Sequence, residues 1–276
     1  MVRALVPKTK RSWVRIPPGA PILGNVVELV FDVNGLVFWT EREIKLRQQV
    51  QDYFAAELTR ALIDINPQWR IMQVEAPLLT PRELLNANYT SDDVWDQTVE
   101  DTETSLTLRP ETTPGSYAYA QYLLNHHTGT KPPFVVWQAG KSFRREQVQP
   151  TKHMRLKEFY QQEFQCIYTS DTANDYHAAI LEPVRKMISD VVSLPTRLVE
   201  SDRLPSYSEI TMDVEVDNGD KWMEVCSISR RTDFPQKASF ATRKGVVEKD
   251  LLVLEVAVGL DRVLYNWSES RKDSPL

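Results

Sequence analysis

The sequence predicts an α/β (α+β) domain, and three observations carry that prediction. A run with helical spacing lies near the start, two pairs of strand-like runs flank turn-forming segments, and an apolar strand near the end passes through a glycine into an amphipathic helix. With 42% hydrophobic and 26% charged residues over 276 positions, the chain is long enough for one sizeable core.

Residues 1–25 stand apart from the rest. They are basic (Arg3, Lys8, Lys10, Arg11, Arg15), proline-rich and without periodicity, as in a disordered nucleic-acid arm or a targeting peptide. A different origin fits the string WVRIPPGAP at 13–21 better. It is what TGG-GTT-CGA-ATC-CCT-CCG-GGC-GCA-CCA would encode, a DNA that holds GGG-TTCGAAT-CCC, the shape of a tRNA T-arm, and ends in CCA. We expect these residues to be a translated tRNA gene end, with the true start near Val26 to Val33 and the folded domain in 26–276.

From 41 to 65 the residues Ile44, Val50, Phe54, Leu58 and Leu62 recur at helical spacing, and Asn66-Pro67 stops the helix. Residues 70–79 (RIMQVEAPLL) read as a strand, in which Pro77 argues for an edge or interface position. Residues 104–124 read as a short strand, a Pro/Gly turn and a helix, with Arg109 and Glu111 on the turn.

The run GKSFRREQVQPTKHMRLKEFYQQEFQ, residues 140–165, reads as a long hairpin with VQPTKHM as its loop. Alternation in a strand points Arg144 and Glu146 the same way. A guanidinium grips a phosphate through two N–H groups, a carboxylate accepts from an exocyclic amine, and Phe159 offers a stacking face. The run is therefore either a nucleotide clamp or a charged hairpin with a solvated face. Gly140-Lys141-Ser142 is no phosphate loop, because Val135 stands where the earlier glycine is needed; no Gly-x-Gly-x-x-Gly occurs.

Residues 166–206 read as a polar helix and a loop, with at most a short strand around Leu198. Residues 207–217 alternate as a strand, Asn218-Gly219-Asp220 is a turn signal, and 221–228 is the partner strand. Glu224 falls in that apolar partner, where a carboxylate is costly unless paired or liganded, so a ligand role is expected. Residues 251–267 give the apolar strand, Gly259 and the amphipathic helix.

The net charge of −5 and pI of about 5.5 do not indicate non-specific nucleic-acid binding, but leave room for a local basic surface. Cys166 and Cys226 form no CxxC pair, which points to a reducing compartment. No apolar stretch approaches a membrane span, so a cytoplasmic protein is expected.

FRRE followed by MRLKEF is similar to motif 2 of class II aminoacyl-tRNA synthetases, most like the glycyl-tRNA synthetase version (Phe-Arg-Asn-Glu, then Arg-Val-Arg-Glu-Phe). The resemblance implies that Arg144 holds the α-phosphate of ATP, Glu146 reads the adenine amine, Phe159 stacks on adenine and Arg155 lies near the phosphates. Arg145 replaces the usual Asn. Helix 41–65 and the strand carrying Pro77 resemble motif 1, which implies a homodimer through that region.

LRPETTPG resembles the LRPETAQG loop, whose glutamate, here Glu111, faces the substrate's amino group. ISRRTDF, residues 228–234, resembles GIAxRTDFDL and puts Arg231 at the arginine that reaches the substrate; the match breaks at Pro235-Gln236. Glu255, Gly259 and Arg262 match motif 3 (Glu-Pro-Ser-x-Gly-x-x-Arg), which implies Arg262 on the γ-phosphate, while Ala257 replaces the serine that touches the amino acid. The family's fold is a mostly antiparallel sheet flanked by helices.

The resemblance covers most of residues 35–267 and implies ATP and Mg²⁺ as cofactors, the ion on Glu224 and Glu255. It implies adenylation of an amino acid and transfer to a tRNA acceptor end. Glycine offers no side chain to grip, so its site must hold the backbone groups and crowd the α-carbon. The family's acids map to Glu111, Glu163 and Glu255, and its carboxylate-binding arginine to Arg231. At Ala257 the lost hydroxyl removes a hydrogen bond worth about 1 kcal/mol and opens a little space, so alanine and serine remain to be excluded. The family continues past motif 3 into an anticodon-binding domain that this chain is expected to lack. The competing readings are a ligase with a carrier or small-molecule acceptor, and a non-catalytic accessory or nucleic-acid-binding protein.

Overall fold

In the computed structural model the described residues are 30–31, 36–86, 98–101, 103–127, 129–145, 154–172, 174–202, 204–234, 237–242 and 245–270. The expectations for residues 1–25 and for Glu146 lie outside them.

Helix α1, Glu41–Ile65, begins where Glu43 reaches back to the Thr40 backbone N–H, 3.0 Å away, and ends where the Asn66 N–H caps Leu62. Its buried stripe is Leu46, Val50, Phe54, Leu58 and Leu62 at four-residue spacing; Ile44, expected in that stripe, faces solvent.

Two short strands, β1 (Val30–Phe31) and β2 (Val37–Phe38), pair before this helix. After it come β3 (Arg70–Gln73), β4 (Leu79–Pro81) and the short helix α2 (Arg82–Asn86). Pro77 thus lies between two strands and not inside one, a correction to the single strand expected over 70–79. β5 (Val99–Asp101) and β6 (Leu106–Leu108) complete a three-stranded sheet with β4, and α3 (Thr113–His126) follows.

The main sheet holds β7 (Phe134–Phe143), β8 (Glu158–Thr169), β9 (Thr196–Glu200), β10 (Ser208–Asp217), β11 (Trp222–Arg231), β12 (Lys237–Thr242) and β13 (Gly245–Gly259). Its order is β3-β7-β8-β13-β11-β10-β9, with β12 also paired to β13. Every pairing is antiparallel except β3 with β7. The β7–β8 hairpin is present, but β7 starts earlier than residue 140 and stops at Phe143, so Arg144 and Arg155 sit on its connection.

Helix α4 (Tyr176–Val192) fills the segment read as polar, yet it buries Ile180, Val184, Met187 and Ile188; the strand around Leu198 is β9. Helix α5 is Leu260–Glu269. The β12–β13 hairpin has no counterpart in the sequence reading.

The strand period of two sorts the sheet into unlike faces. One carries Phe164, Cys166, Val214, Val216, Val256 and Val258, packed against α1, α4 and α5 as the main core. At one end the other face meets α3, where Tyr117, Ala120 and Leu124 cover Phe134, Val136, Ile167 and Val253. Beyond them that face turns polar: Gln138, Glu163, Ala257 and Ser227 lie in one row across β7, β8, β13 and β11, and Gln165, Glu255 and Ser229 lie in the next. Polar side chains buried on a sheet face need partners, and this is where the site forms.

Candidate active site

The turn between β6 and α3 is pinned over that polar face by Arg109, which is 2% exposed. Its guanidinium donates to the carbonyls of Lys141 (2.8 Å) and Ala76 (3.0 Å) and to Gln138 Oε1 (3.0 Å). Gln138 in turn donates to Thr112 O and Ser116 Oγ, so the turn's backbone is fixed from β7. Placed on a turn by the sequence, Arg109 is a buried brace, and burial holds its pKa below the usual value.

The turn delivers Glu111, Thr112 and Thr113 against three strands. Thr112 Oγ1 donates to Glu163 Oε2 at 2.5 Å, and Thr113 Oγ1 lies 3.0 Å from the same oxygen and 2.9 Å from Glu255 Oε2. Gln165 Nε2 donates to Thr113 Oγ1 at 2.9 Å and to Glu255 Oε2 at 2.7 Å. The structure therefore brings two of the expected acids, Glu163 and Glu255, onto one threonine, and the third, Glu111, joins Glu255 through Arg231.

Arg231 lies at the centre with none of its side chain exposed. It donates to Glu111 Oε1 at 3.1 Å and Glu255 Oε2 at 2.7 Å, grips both oxygens of Asp233 at 3.0 and 2.7 Å, and stacks over Tyr207 at 3.9 Å. A guanidinium so enclosed orders the acids. To reach the substrate's carboxylate, as the resemblance implies, Arg231 would have to exchange one of these contacts for the substrate.

Burial pushes Glu163 well above the usual carboxylate range, and the nearby charges of Glu111 and Glu255 push it further. Burial also raises Glu255, while Arg231 pulls it back. Arg231 is outnumbered by Glu111, Glu255 and Asp233, so the region favours an incoming cation.

The expected ATP residues lie at the other end of this face. Arg144 donates from Nε to Pro110 O at 3.1 Å, has Nη2 3.8 Å from Glu111 Oε2, and stands 5.2 Å from the Phe159 ring. Arg144 thus adjoins both the aromatic face and the acids. Arg262, in the first turn of α5, donates to Glu224 O at 3.0 Å and lies 3.4 Å from Glu224 Oε2. Arg155 is exposed. Burial, then the cations of Arg262 and Arg155, depress the pKa of Lys221. Three basic groups converge there, as a polyphosphate requires. Lys221 escaped the sequence reading because a lone lysine beside a turn carries no signal of its neighbours.

Glu224 is a second correction. Its side chain is 49% exposed, so no desolvation cost argues for a ligand there. A shift in register across β10 and β11 skips Val225 and buries both Val225 and Cys226, turning Glu224 outward. Nor do Glu224 and Glu255 form one metal pair: Glu255 stands opposite Ser229, five residues along β11 from Glu224, and its Oε2 already accepts from Arg231, Gln165 and Thr113. Mg²⁺ commonly binds one carboxylate plus substrate phosphates. Glu224 beside Arg262 fits that role and Glu255 does not. Among the described residues no group of three His, Cys, Asp or Glu side chains forms a ready metal cage.

Ala257 sits in register between Glu163 and Ser227, half-buried in the floor of the polar face.

This fold and site define a class, and the comparisons agree. The chain belongs to the family whose model is described as the tRNA synthetase class II core domain (G, H, P, S and T), which matches residues 97–271. Among curated relatives, it is 29% identical over 179 residues to a glycine–tRNA ligase of Mycoplasmopsis synoviae (strain 53), covering 60% of this chain and 40% of that one. It is 33% identical over 143 residues to the glycine–tRNA ligase of Cutibacterium acnes, covering 49% and 30%. The chain thus spans less than half the length of these relatives. Prolyl-tRNA synthetase of Cryptosporidium parvum, solved with L-proline and AMP, superposes with a TM-score of 0.66 at 14% identity, over 86% of this chain and 49% of that one. At that identity the likeness concerns the fold.

Proposed function

We propose that this chain activates an amino acid, glycine, with ATP to form the aminoacyl-adenylate and passes it to the 3′ end of a tRNA. The observation that carries the reading is the junction at Glu111, which meets Arg144 of the phosphate end and Arg231 of the acid cluster. The glycine–tRNA ligase relatives favour the same substrate.

In this reading the amino acid's carboxylate attacks the α-phosphorus in line and pyrophosphate leaves. No protein nucleophile is required, and catalysis is positioning plus electrostatics. Arg144 stabilises charge on the α-phosphate, while Arg262, Lys221 and Arg155 hold the outer phosphates and Phe159 stacks on adenine. Glu146 reads the adenine amine. Glu224 would hold Mg²⁺, which would neutralise charge on the leaving group. Glu111, Glu163 and Glu255 receive the ammonium through charge-assisted hydrogen bonds, and their crowding disfavours a larger α-substituent. A homodimer would form through the Pro77 region, where Leu78 and Leu79 are 44% and 51% exposed. No helix among the described residues is long and apolar enough to cross a membrane. We place the protein in the cytoplasm on its two unpaired cysteines.

ATP–pyrophosphate exchange across the standard amino acids tests the reading. Exchange with glycine supports it, and silence with every amino acid rejects it. Exchange with glycine but no transfer to any tRNA would assign the adenylate to a carrier or small-molecule acceptor.

A further inference from the structure

Around Thr113 the hydrogen count is short by one. Thr112 Oγ1 lies 2.5 Å from Glu163 Oε2, and Thr113 Oγ1 lies 3.0 Å from Glu163 Oε2 and 2.9 Å from Glu255 Oε2. Each of these three oxygen–oxygen contacts needs a hydrogen, and two hydroxyls bring only two. Gln165 cannot supply the third, since its Nε2 already donates to Thr113 Oγ1 and Glu255 Oε2. Thr112, Thr113 and Glu163 are 0%, 0% and 1% exposed. Oxygens facing each other lone pair to lone pair in such a place are costly. The missing hydrogen is therefore a proton on a carboxyl.

Its owner follows from the neighbours. Glu255 Oε2 accepts from Arg231 Nη1 at 2.7 Å, whereas among the described residues no cation hydrogen-bonds to Glu163. Around Glu163 stand Glu111 and the two threonines from the turn, Gln138 from β7, Gln165 from its own strand, and Glu255 and Ala257 from β13. Arg109 acts on it from the end of β6 across space, but donates its hydrogens to Ala76, Lys141 and Gln138. Glu111 and Glu255 share Arg231, so Glu163 is the acid without a cation of its own.

We propose that Thr113 is a specificity-determining residue: its hydroxyl holds Glu163 as the neutral acid beside an ionised Glu255, and the ammonium of a small amino acid expels the Glu163 proton to solvent on binding. This rests on the amino-acid activation proposed above. The site then discriminates on charge. Glycine brings the cation that Glu163 lacks, whereas glycolate, with a hydroxyl in place of the ammonium, leaves the proton where it is.

Infrared difference spectroscopy on the unliganded full chain at neutral pH, wild type minus Glu163→Gln, tests the proton directly. The expected result is a protonated-carboxyl C=O stretch that disappears with glycine and persists with glycolate. No such band overturns the inference whatever the enzyme does. A band unchanged by saturating glycine overturns the release step. In exchange assays KM for glycine should fall by about tenfold for each unit that pH rises toward the Glu163 titration and level off above it, and a flat profile contradicts this. Thr113→Val should weaken the infrared band at neutral pH and move the pH dependence of that KM to lower pH, while Thr113→Ser restores both; a band and a profile equal to wild type in Thr113→Val overturn the role of Thr113. Exchange with no amino acid would instead sink the activation reading, and the infrared band alone would still decide the proton count.

Discussion

A methyl group at Gly140 would lie 2.2 Å from Arg109 Nη2. The glycine of the Gly140-Lys141-Ser142 string is there to admit a buried guanidinium from the neighbouring turn, and phosphate binding has no part in it. Arg109 cannot give way without breaking its bonds to Ala76, Lys141 and Gln138. Gly140→Ala should therefore destabilise the fold by about 1–3 kcal/mol or more through overpacking. It should also weaken any exchange activity by displacing Glu111. An unchanged urea midpoint would contradict the brace.

Arg231→Met should be more severe. Removing the cation leaves Glu111, Asp233 and Glu255 without their shared partner in a buried setting, a change that costs about 3–5 kcal/mol. The deficit should shrink as pH falls, because protonating the acids relieves their repulsion. A deficit independent of pH would argue that packing against Tyr207 is the main contribution.

Asp261 gives a pH prediction of its own. Burial pushes it up to about 7, against hydrogen bonding from Tyr160 N–H and the charge of Arg47. The folded protein then binds the Asp261 proton more tightly than the unfolded chain does. Its contribution to stability is fully present below the ordinary carboxylate value of 3.8 and is lost as pH rises through about 7. Asp261→Asn keeps an acceptor for Tyr160 and removes the titration. Its thermal midpoint should gain on wild type between acid and neutral pH; parallel curves would contradict the assignment.

Ala257→Ser would add a hydroxyl to the floor between Glu163 and Ser227. It should sharpen rejection of alanine relative to glycine by roughly tenfold, the value of about 1.4 kcal/mol in a rate ratio. Measured kcat/KM ratios for the two amino acids would check this, and an unchanged ratio would place Ala257 away from the substrate.

Much of the frame was legible because it follows local periodicity. Helix α1 and the turn before α3 read directly from spacing and punctuation, and the β10–β11 hairpin from alternation around Asn218-Gly219-Asp220. Helix α4 was read as polar because its charged residues are conspicuous, while its buried stripe emerges only against the sheet. Glu224 misled for the converse reason: apolar neighbours in sequence suggested burial, and a register shift turned it outward. The acids Glu111, Glu163 and Glu255 came from the family resemblance. What joins them did not, because Thr113, Gln138 and Gln165 acquire meaning only when the turn closes over the sheet. One signal was available: Glu163 and Gln165 alternate with Phe164 and Cys166 in β8, which marks a polar face behind an apolar one.

Glycine-dependent ATP–pyrophosphate exchange, run beside Arg144→Ala, tests the central claim most directly. The account predicts exchange with glycine in the wild type and its loss in Arg144→Ala, a variant that remains folded because Arg144 lies at the margin of the core with 31% of its side chain exposed. Exchange undiminished by that substitution, or absent from the wild type with every amino acid, would contradict it.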